Sequence, residues 1–104
     1  MATVRFSDGA SNDLVQIWGY YAAAGTTESA SAVISRIRAT IRQTLGRFPR
    51  SGRLRPEFGE DVRSYPILPY VVFYTVEKRA VRIIRILHGH RDIRAPLVSL
   101  FIAV

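Results

Sequence analysis

Apolar residues recur along this chain first with a period of two, then with a period of ~3.6, then of two again, so a short strand, two helices and a run of strands follow in that order. Val4 and Phe6 share one face of a strand over Thr3–Phe6. Ser7 is placed to cap the next element, and Asp8 puts negative charge in a first turn where the helix dipole favours it. Ala10, Leu14, Ile17, Trp18 and Tyr21 form one apolar stripe on a helix over Asp8–Ala24, which Gly25 ends. Thr26 or Thr27 caps a second helix with a stripe of Ala30, Val33, Ile34, Ile37, Ile41 and Leu45 that extends toward Phe48, while Arg36, Arg38 and Arg42 occupy its other side. The gap between the helices is too short for anything but an antiparallel helical hairpin.

Pro49 stops the second helix. Residues Arg50 to Asp61 hold Pro56, Gly52, Gly59 and alternating charges, which predicts a loop. Three strands should follow. The first, Val62 to Ile67, is bounded by Pro66 and Pro69, which suit an edge or a turn. The next two, Tyr70 to Val76 and Val81 to His88, are rich in β-branched and aromatic residues and are joined by the charged connection Glu77 to Ala80. Strict alternation sets Tyr70, Val72, Tyr74 and Val76 against Val71, Phe73 and Thr75, and sets Arg82, Ile84, Ile86 and His88 against Val81, Ile83, Arg85 and Leu87. Both faces are then largely apolar. The helical hairpin covers one, so the other should be covered by the apolar tail, Pro96 to Val104, by a partner, or by both.

With 104 residues the chain is expected to be a single domain, 1–104, with residues 94–104 as an apolar tail. It has no cysteine, which excludes disulfides and thiolate metal sites and suits a reducing, cytoplasmic setting. The N-terminal residues lack the plan of a signal peptide, and no apolar run approaches the ~20 residues of a membrane span. The net charge is +7, and every basic residue except Lys78 is an arginine. Such a surface implies an acidic partner, either nucleic acid or a protein segment rich in Asp and Glu. Arg47, Arg50, Arg53 and Arg55 make the densest positive stretch.

Candidate chemistry gathers in His88-Gly89-His90-Arg91-Asp92. His88 and His90 would share a strand face, but nothing upstream supplies a third ligand, so no metal is expected. A local hydrogen bond is the expected role of His88. Asp92 should pair with Arg91, Arg85 or Arg63. Arg85 lies among Ile83, Ile84, Ile86 and Leu87 and needs a carboxylate partner, from Asp92 or from another chain. His88, His90, Arg85 and Tyr74 are also the residue types of a metal-free ribonuclease. No GxGxxG, Walker A, HExxH or nucleophile-elbow pattern is present, and no cofactor is expected.

Several stretches together resemble the ParE/RelE superfamily of bacterial type II toxins, with the ParE branch favoured. They are Asp13-Leu14 with Ile17-Trp18-Gly19-Tyr20, Phe48-Pro49-Arg50-Ser51-Gly52-Arg53, Val62-Arg63-Ser64-Tyr65-Pro66, Val71-Val72-Phe73-Tyr74, and Ile84 through Asp92. The likeness implies an α+β fold, β-α-α-β-β-β, with the helical hairpin packed on one face of a mostly antiparallel sheet. It also implies a growth-inhibiting toxin held by a cognate acidic antitoxin in a hetero-oligomer. The target it implies is DNA gyrase; the alternative is ribosome-dependent cleavage of mRNA. On the gyrase reading no catalytic residue is expected, and antitoxin or target contacts fall to Arg53, Arg63, Tyr65, Tyr74, Arg85, His88, Arg91 and Asp92. On the ribonuclease reading Tyr74, Arg85, His88 and His90 would act. After Arg94 there is no Lys, Arg, His or Tyr, so the C-terminal basic residue or tyrosine of the ribonuclease branch is missing. Neither membrane contact nor direct nucleic-acid binding by the chain alone is expected from the resemblance.

Overall fold

The computed structural model describes residues 1–90, so Arg91, Asp92 and the apolar tail lie outside the described residues. Strand β1 (Thr3–Phe6) leads into helix α1 (Asp8–Ala24) and helix α2 (Thr27–Thr40), and α2 continues as a π-helical turn over Ile41–Leu45. Four strands follow: β2 (Arg53–Leu54), β3 (Arg63–Ile67), β4 (Tyr70–Glu77) and β5 (Ala80–His88). They form one sheet in the order β1-β5-β4-β3-β2, antiparallel except where β1 runs parallel to β5. The fold is the expected α+β arrangement. The short strand β2 was expected to be loop.

Both helix starts follow from the capping residues. Ser7 Oγ accepts from the Ala10 N–H at 3.0 Å. Thr26 and Ser29 make a reciprocal capping box, Ser29 N–H to Thr26 Oγ1 at 3.0 Å and Thr26 N–H to Ser29 Oγ at 3.1 Å, so orphan donors of the first turn are satisfied. The helical hairpin lies on one face of the sheet. Ala10, Leu14, Ile17, Ile37, Ile41 and Leu45 pack there against Tyr70, Val72, Tyr74, Val81, Ile83 and Ile86. Ile37, Ile41 and Leu45 are all fully buried. A regular α-helix would spread them over about 80° of one face, and the wider π-helical turn narrows that spread. Phe48 does not continue that stripe and is 65% exposed. Trp18 sits at the seam of the two helices, 38% exposed, with its indole N–H 3.4 Å from Ser31 Oγ.

Alternation holds along β4 and fails along β5. Phe73 pairs with Arg85 but Tyr74 pairs with Ile83, so Ile84 is an extra residue in a β-bulge. The bulge reverses the parity beyond it. Val81, Ile83 and Ile86 therefore face the helices, while Ile84 and Leu87 face the other way, against the expected grouping of Ile84 with Ile86. That second face is covered in part by the 55–62 segment: Val62, Phe73, Ile84 and Leu87 are buried together, with Phe58 and Val71 packed on them. The expectation assigned this cover to the tail or a partner; the chain's own loop supplies Phe58 and Val62.

β2 pairs only with Arg63 and Ser64, so at Pro66 strand β3 is again an edge, as its missing N–H requires. Pro69 lies in the turn to β4 after a cis Leu68–Pro69 bond. A two-residue turn, Lys78-Arg79, joins β4 to β5, with Lys78 at φ 45°. Among the described residues no helix is long and apolar enough to cross a membrane.

Candidate functional site

Strand β1 ends opposite Ile83, and beyond that point the outer edge of β5 needs other partners. Helix α1 supplies them. Ser7 Oγ donates to the Ile84 carbonyl at 2.7 Å, and the Ile86 N–H donates to Asp13 Oδ2 at 2.9 Å. The bulge turns Arg85 toward this edge, where its Nε and Nη2 donate to Asp13 Oδ2 and Oδ1 at 2.8 and 2.9 Å. The pair is two-pronged and largely withdrawn from water, the side chains being 17% and 9% exposed. Arg85 thus finds a carboxylate on α1, in Asp13, while Asp92, its expected partner, lies outside the described residues. The sequence did carry a signal: Asp13 falls beside Leu14 on the buried side of α1, a position that a carboxylate occupies only when paired.

A second cluster fixes the segment after α2. Tyr74 is fully buried, and its hydroxyl donates to the Pro49 carbonyl and accepts from the Gly52 N–H, both at 2.8 Å. Burial pushes its phenol above the ordinary value, the Gly52 hydrogen bond acting the other way. Arg63 Nη1 donates to the carbonyls of Gly52 at 2.8 Å and Arg50 at 3.1 Å. Gly52 is required by this approach: a Cβ there would strike the Tyr74 hydroxyl and lie 2.8 Å from the Ser64 carbonyl. Tyr74 and Arg63 therefore act as a latch on residues 49–52. Tyr74 offers no surface to a partner or substrate, a correction to its place among the expected contact and acid/base residues.

Arg55 extends the cluster toward the second face. It contacts Glu57 Oε2 at 3.1 Å and Ser64 Oγ at 3.2 Å and lies 5.0 Å from the Phe58 ring centroid. Glu57 is held below the usual carboxylate range, chiefly by a backbone hydrogen bond and then by Arg55.

His88 closes β5. Its ring meets Tyr70 edge-on at 5.7 Å, and its Nδ1 accepts from the His90 N–H at 3.2 Å, the local bond expected of it. Tyr70 pairs with His88, so Tyr74 lies four residues further along β4, about 13 Å away. Tyr74, Arg85 and His88 are accordingly dispersed: one inside the core, one on the strand edge, one at the strand end. Among the described residues no group of three His, Cys, Asp or Glu gathers in a metal-binding arrangement. Of the expected contact residues, Arg53 is exposed on β2 and Tyr65 and His88 are half-buried, while Arg91 and Asp92 lie outside the described residues.

Two clefts border these clusters. One, of about 330 Å³, runs along the outside of the helical hairpin between Leu14, Val15, Trp18, Ile34 and Arg38. The other, of about 420 Å³, lies between the latched segment and the β4–β5 turn, lined by Arg47, Phe48, Arg50, Val76 and Lys78.

Two solved structures and one relative of known sequence resemble this chain. In the solved ParDE toxin–antitoxin system of P. aeruginosa, one chain superposes with a TM-score of 0.71 at 22% identity, over 85% of this chain and 96% of that one. A chain of the toxin–antitoxin complex RelBE2 from Mycobacterium tuberculosis superposes at 0.57 with 26% identity, over 84% and 96%. Toxin ParE3 of Caulobacter vibrioides is 35% identical over 68 residues, 65% of this chain and 67% of that protein. The family model of the ParE toxin of the type II toxin–antitoxin system parDE matches residues 4–93, a range that takes in the helices, the latch, the bulge and all of β5. The chain therefore belongs to the ParE family of toxins from type II toxin–antitoxin systems.

Proposed function

We propose that this toxin acts by inhibiting DNA gyrase, and so DNA replication, and that a cognate acidic antitoxin neutralises it by binding. The observation that carries the non-catalytic reading is the fate of the acid/base candidates. Tyr74 is sealed in the core with both hydroxyl functions satisfied, and Arg85 is held by Asp13 on the strand edge. Ribonucleolytic general acid/base chemistry needs titratable groups that converge within hydrogen-bond reach of one substrate atom. Here Tyr74 and His88 are about 13 Å apart along the sheet. Family membership supports gyrase as the target, and the likeness to chains of toxin–antitoxin complexes supports the partner.

The antitoxin would complement a surface of net charge +7. The apolar cleft on the helical hairpin, with Arg38 at its rim, suits the apolar face of an amphipathic helix carrying acidic residues. Arg53, Tyr65 and His88 are the surface residues to which we assign antitoxin or target contact.

The test scores two activities in one preparation. Antitoxin-free toxin is added to gyrase, ATP and relaxed plasmid, and supercoiling and cleaved DNA are measured; a reporter mRNA is followed in cells after induction. Lost supercoiling or accumulated linear plasmid, with intact mRNA, is the expected result. Unaffected gyrase at excess toxin, together with cleaved mRNA, would transfer the assignment to the ribonuclease branch.

A further inference from the structure

Five cations far apart in sequence meet at one end of the sheet. Arg5 lies on β1, Arg47 and Arg50 follow α2, and Lys78 and Arg79 form the β4–β5 turn. Backbone bonds hold these pieces together: Ala2 N–H to the Gly46 carbonyl at 2.8 Å and Thr3 N–H to the Arg79 carbonyl at 2.9 Å. Three contiguous clefts result, of about 420, 460 and 450 Å³, and Lys78 lines all of them. Arg47 borders two and Arg79 two, with Arg5 and Arg50 at opposite ends. All five side chains are exposed, and within the described residues none is within ion-pair distance of a carboxylate. Glu77 is the one acidic residue lining these clefts.

Two further features select among polyanions. Phe48, 65% exposed, lines the first cleft together with Arg47, Arg50, Val76 and Pro49. An exposed aromatic ring beside guanidinium groups is a platform for an unstacked base, and Asp and Glu side chains gain nothing by stacking on it. The backbone of residues 49–52, next to Arg47 and Phe48, is also held in place by the Tyr74–Arg63 latch before any ligand arrives.

We infer that this end of the sheet binds single-stranded nucleic acid, its phosphodiesters running along Arg5, Arg79, Lys78, Arg47 and Arg50 with a base stacked on Phe48. The binding belongs to the toxin chain alone and does not depend on which enzyme it inhibits. It departs from the expectation that the chain alone would not bind nucleic acid, because residues 5, 47, 50, 78 and 79 converge only in the folded chain.

The experiment is fluorescence anisotropy of the antitoxin-free full chain with labelled oligothymidylate and oligouridylate of about 12 nucleotides, a length within the range one small module covers. A duplex of equal length and a polyglutamate competitor complete the set. With five phosphate contacts, the logarithm of the association constant should fall against the logarithm of salt concentration with a slope of about −3.5. Lys78→Glu with Arg79→Glu should weaken binding about tenfold or more at low salt and flatten the slope by about 1.4. Phe48→Ala should weaken the single strands about tenfold and leave the slope unchanged. Arg36→Glu with Arg42→Glu is the control, since it changes net charge equally but touches none of the three clefts. The deoxy and ribo arms show which strand is preferred, and binding in either supports the inference. It is overturned if neither oligonucleotide binds, if the control pair weakens binding as much, if the duplex binds as tightly and Phe48→Ala is neutral, or if polyglutamate binds this end more tightly than the oligonucleotides. Gyrase inhibition is scored separately, so failure here leaves that reading standing.

Discussion

Replacing Asp13 by alanine tests the claim that α1 completes the edge of β5. The carboxylate receives three hydrogen bonds, two from Arg85 and one from the Ile86 N–H, at 2.8 to 2.9 Å. Removing it leaves the buried Ile86 N–H without Asp13, which costs about 1–3 kcal/mol. It also strips two charge-assisted bonds from a guanidinium that is only 17% exposed. Breaking a buried pair costs about 3–5 kcal/mol in full, and partial access to water puts this one at or below the lower end. The terms share one group and do not add, so a total of about 3 kcal/mol is expected, a large part of the ~5–15 kcal/mol that holds a typical domain. Urea denaturation should show the loss as a lower midpoint at unchanged slope, and thermal unfolding as a fall of more than about 10 °C. Adding Arg85→Met to Asp13→Ala should restore about 1 kcal/mol, since a largely buried charge deprived of Asp13 is removed while the Ile86 amide is not satisfied. A loss under about 1 kcal/mol in Asp13→Ala would refute the reasoning, as it would mean the sheet edge does not depend on this carboxylate.

Tyr74→Phe removes the hydroxyl shared by Pro49 and Gly52, and a loss of about 1–3 kcal/mol is expected by urea denaturation at neutral pH. The same residue predicts alkaline sensitivity. Its folded pKa is raised above the unfolded value of 10.0, so the folded state holds the proton longer; its contribution is complete below pH 10.0 and is lost as pH rises toward the folded pKa. The wild-type stability should therefore fall more steeply above pH 10.0 than that of Tyr74→Phe, and parallel curves would count against the burial argument. Gly19 lies inside α1 with nothing within 4 Å of where a Cβ would stand. Gly19→Ala should raise stability by about 1 kcal/mol, read as a higher urea midpoint, and a fall would show a contact on that face of the helix.

Local chemistry made much of the fold legible. Ser7 and Thr26 cap the helices they were expected to cap, and Gly25 ends the first. The alternation put Tyr70, Val72 and Tyr74 together on one face of β4, and that face is the one the helices cover. The candidate site was less legible, because its residues are partnered by groups remote in sequence. Asp13 and Arg85 are 72 positions apart, and nothing between them marks the pairing. The bulge at Ile84 follows from no residue in β5 itself; it appears only when that strand is laid against β4. Tyr74, read as a reactive or contact group, is a core residue because Pro49 and Gly52 come to it from the end of α2.

The amino-acid order by itself therefore determined the elements other than β2, the helix caps, most of the core stripe of each helix and the surplus of positive charge, all of which depend on neighbours within a turn or a strand. Only the tertiary structure decided where β1 pairs, which way β5 turns past its bulge, which carboxylate holds Arg85 and how Arg5, Arg47, Arg50, Lys78 and Arg79 come to share one surface. Those outcomes rest on contacts between segments tens of residues apart, and closing such contacts is a property of the assembled sheet and helices that no local pattern carries.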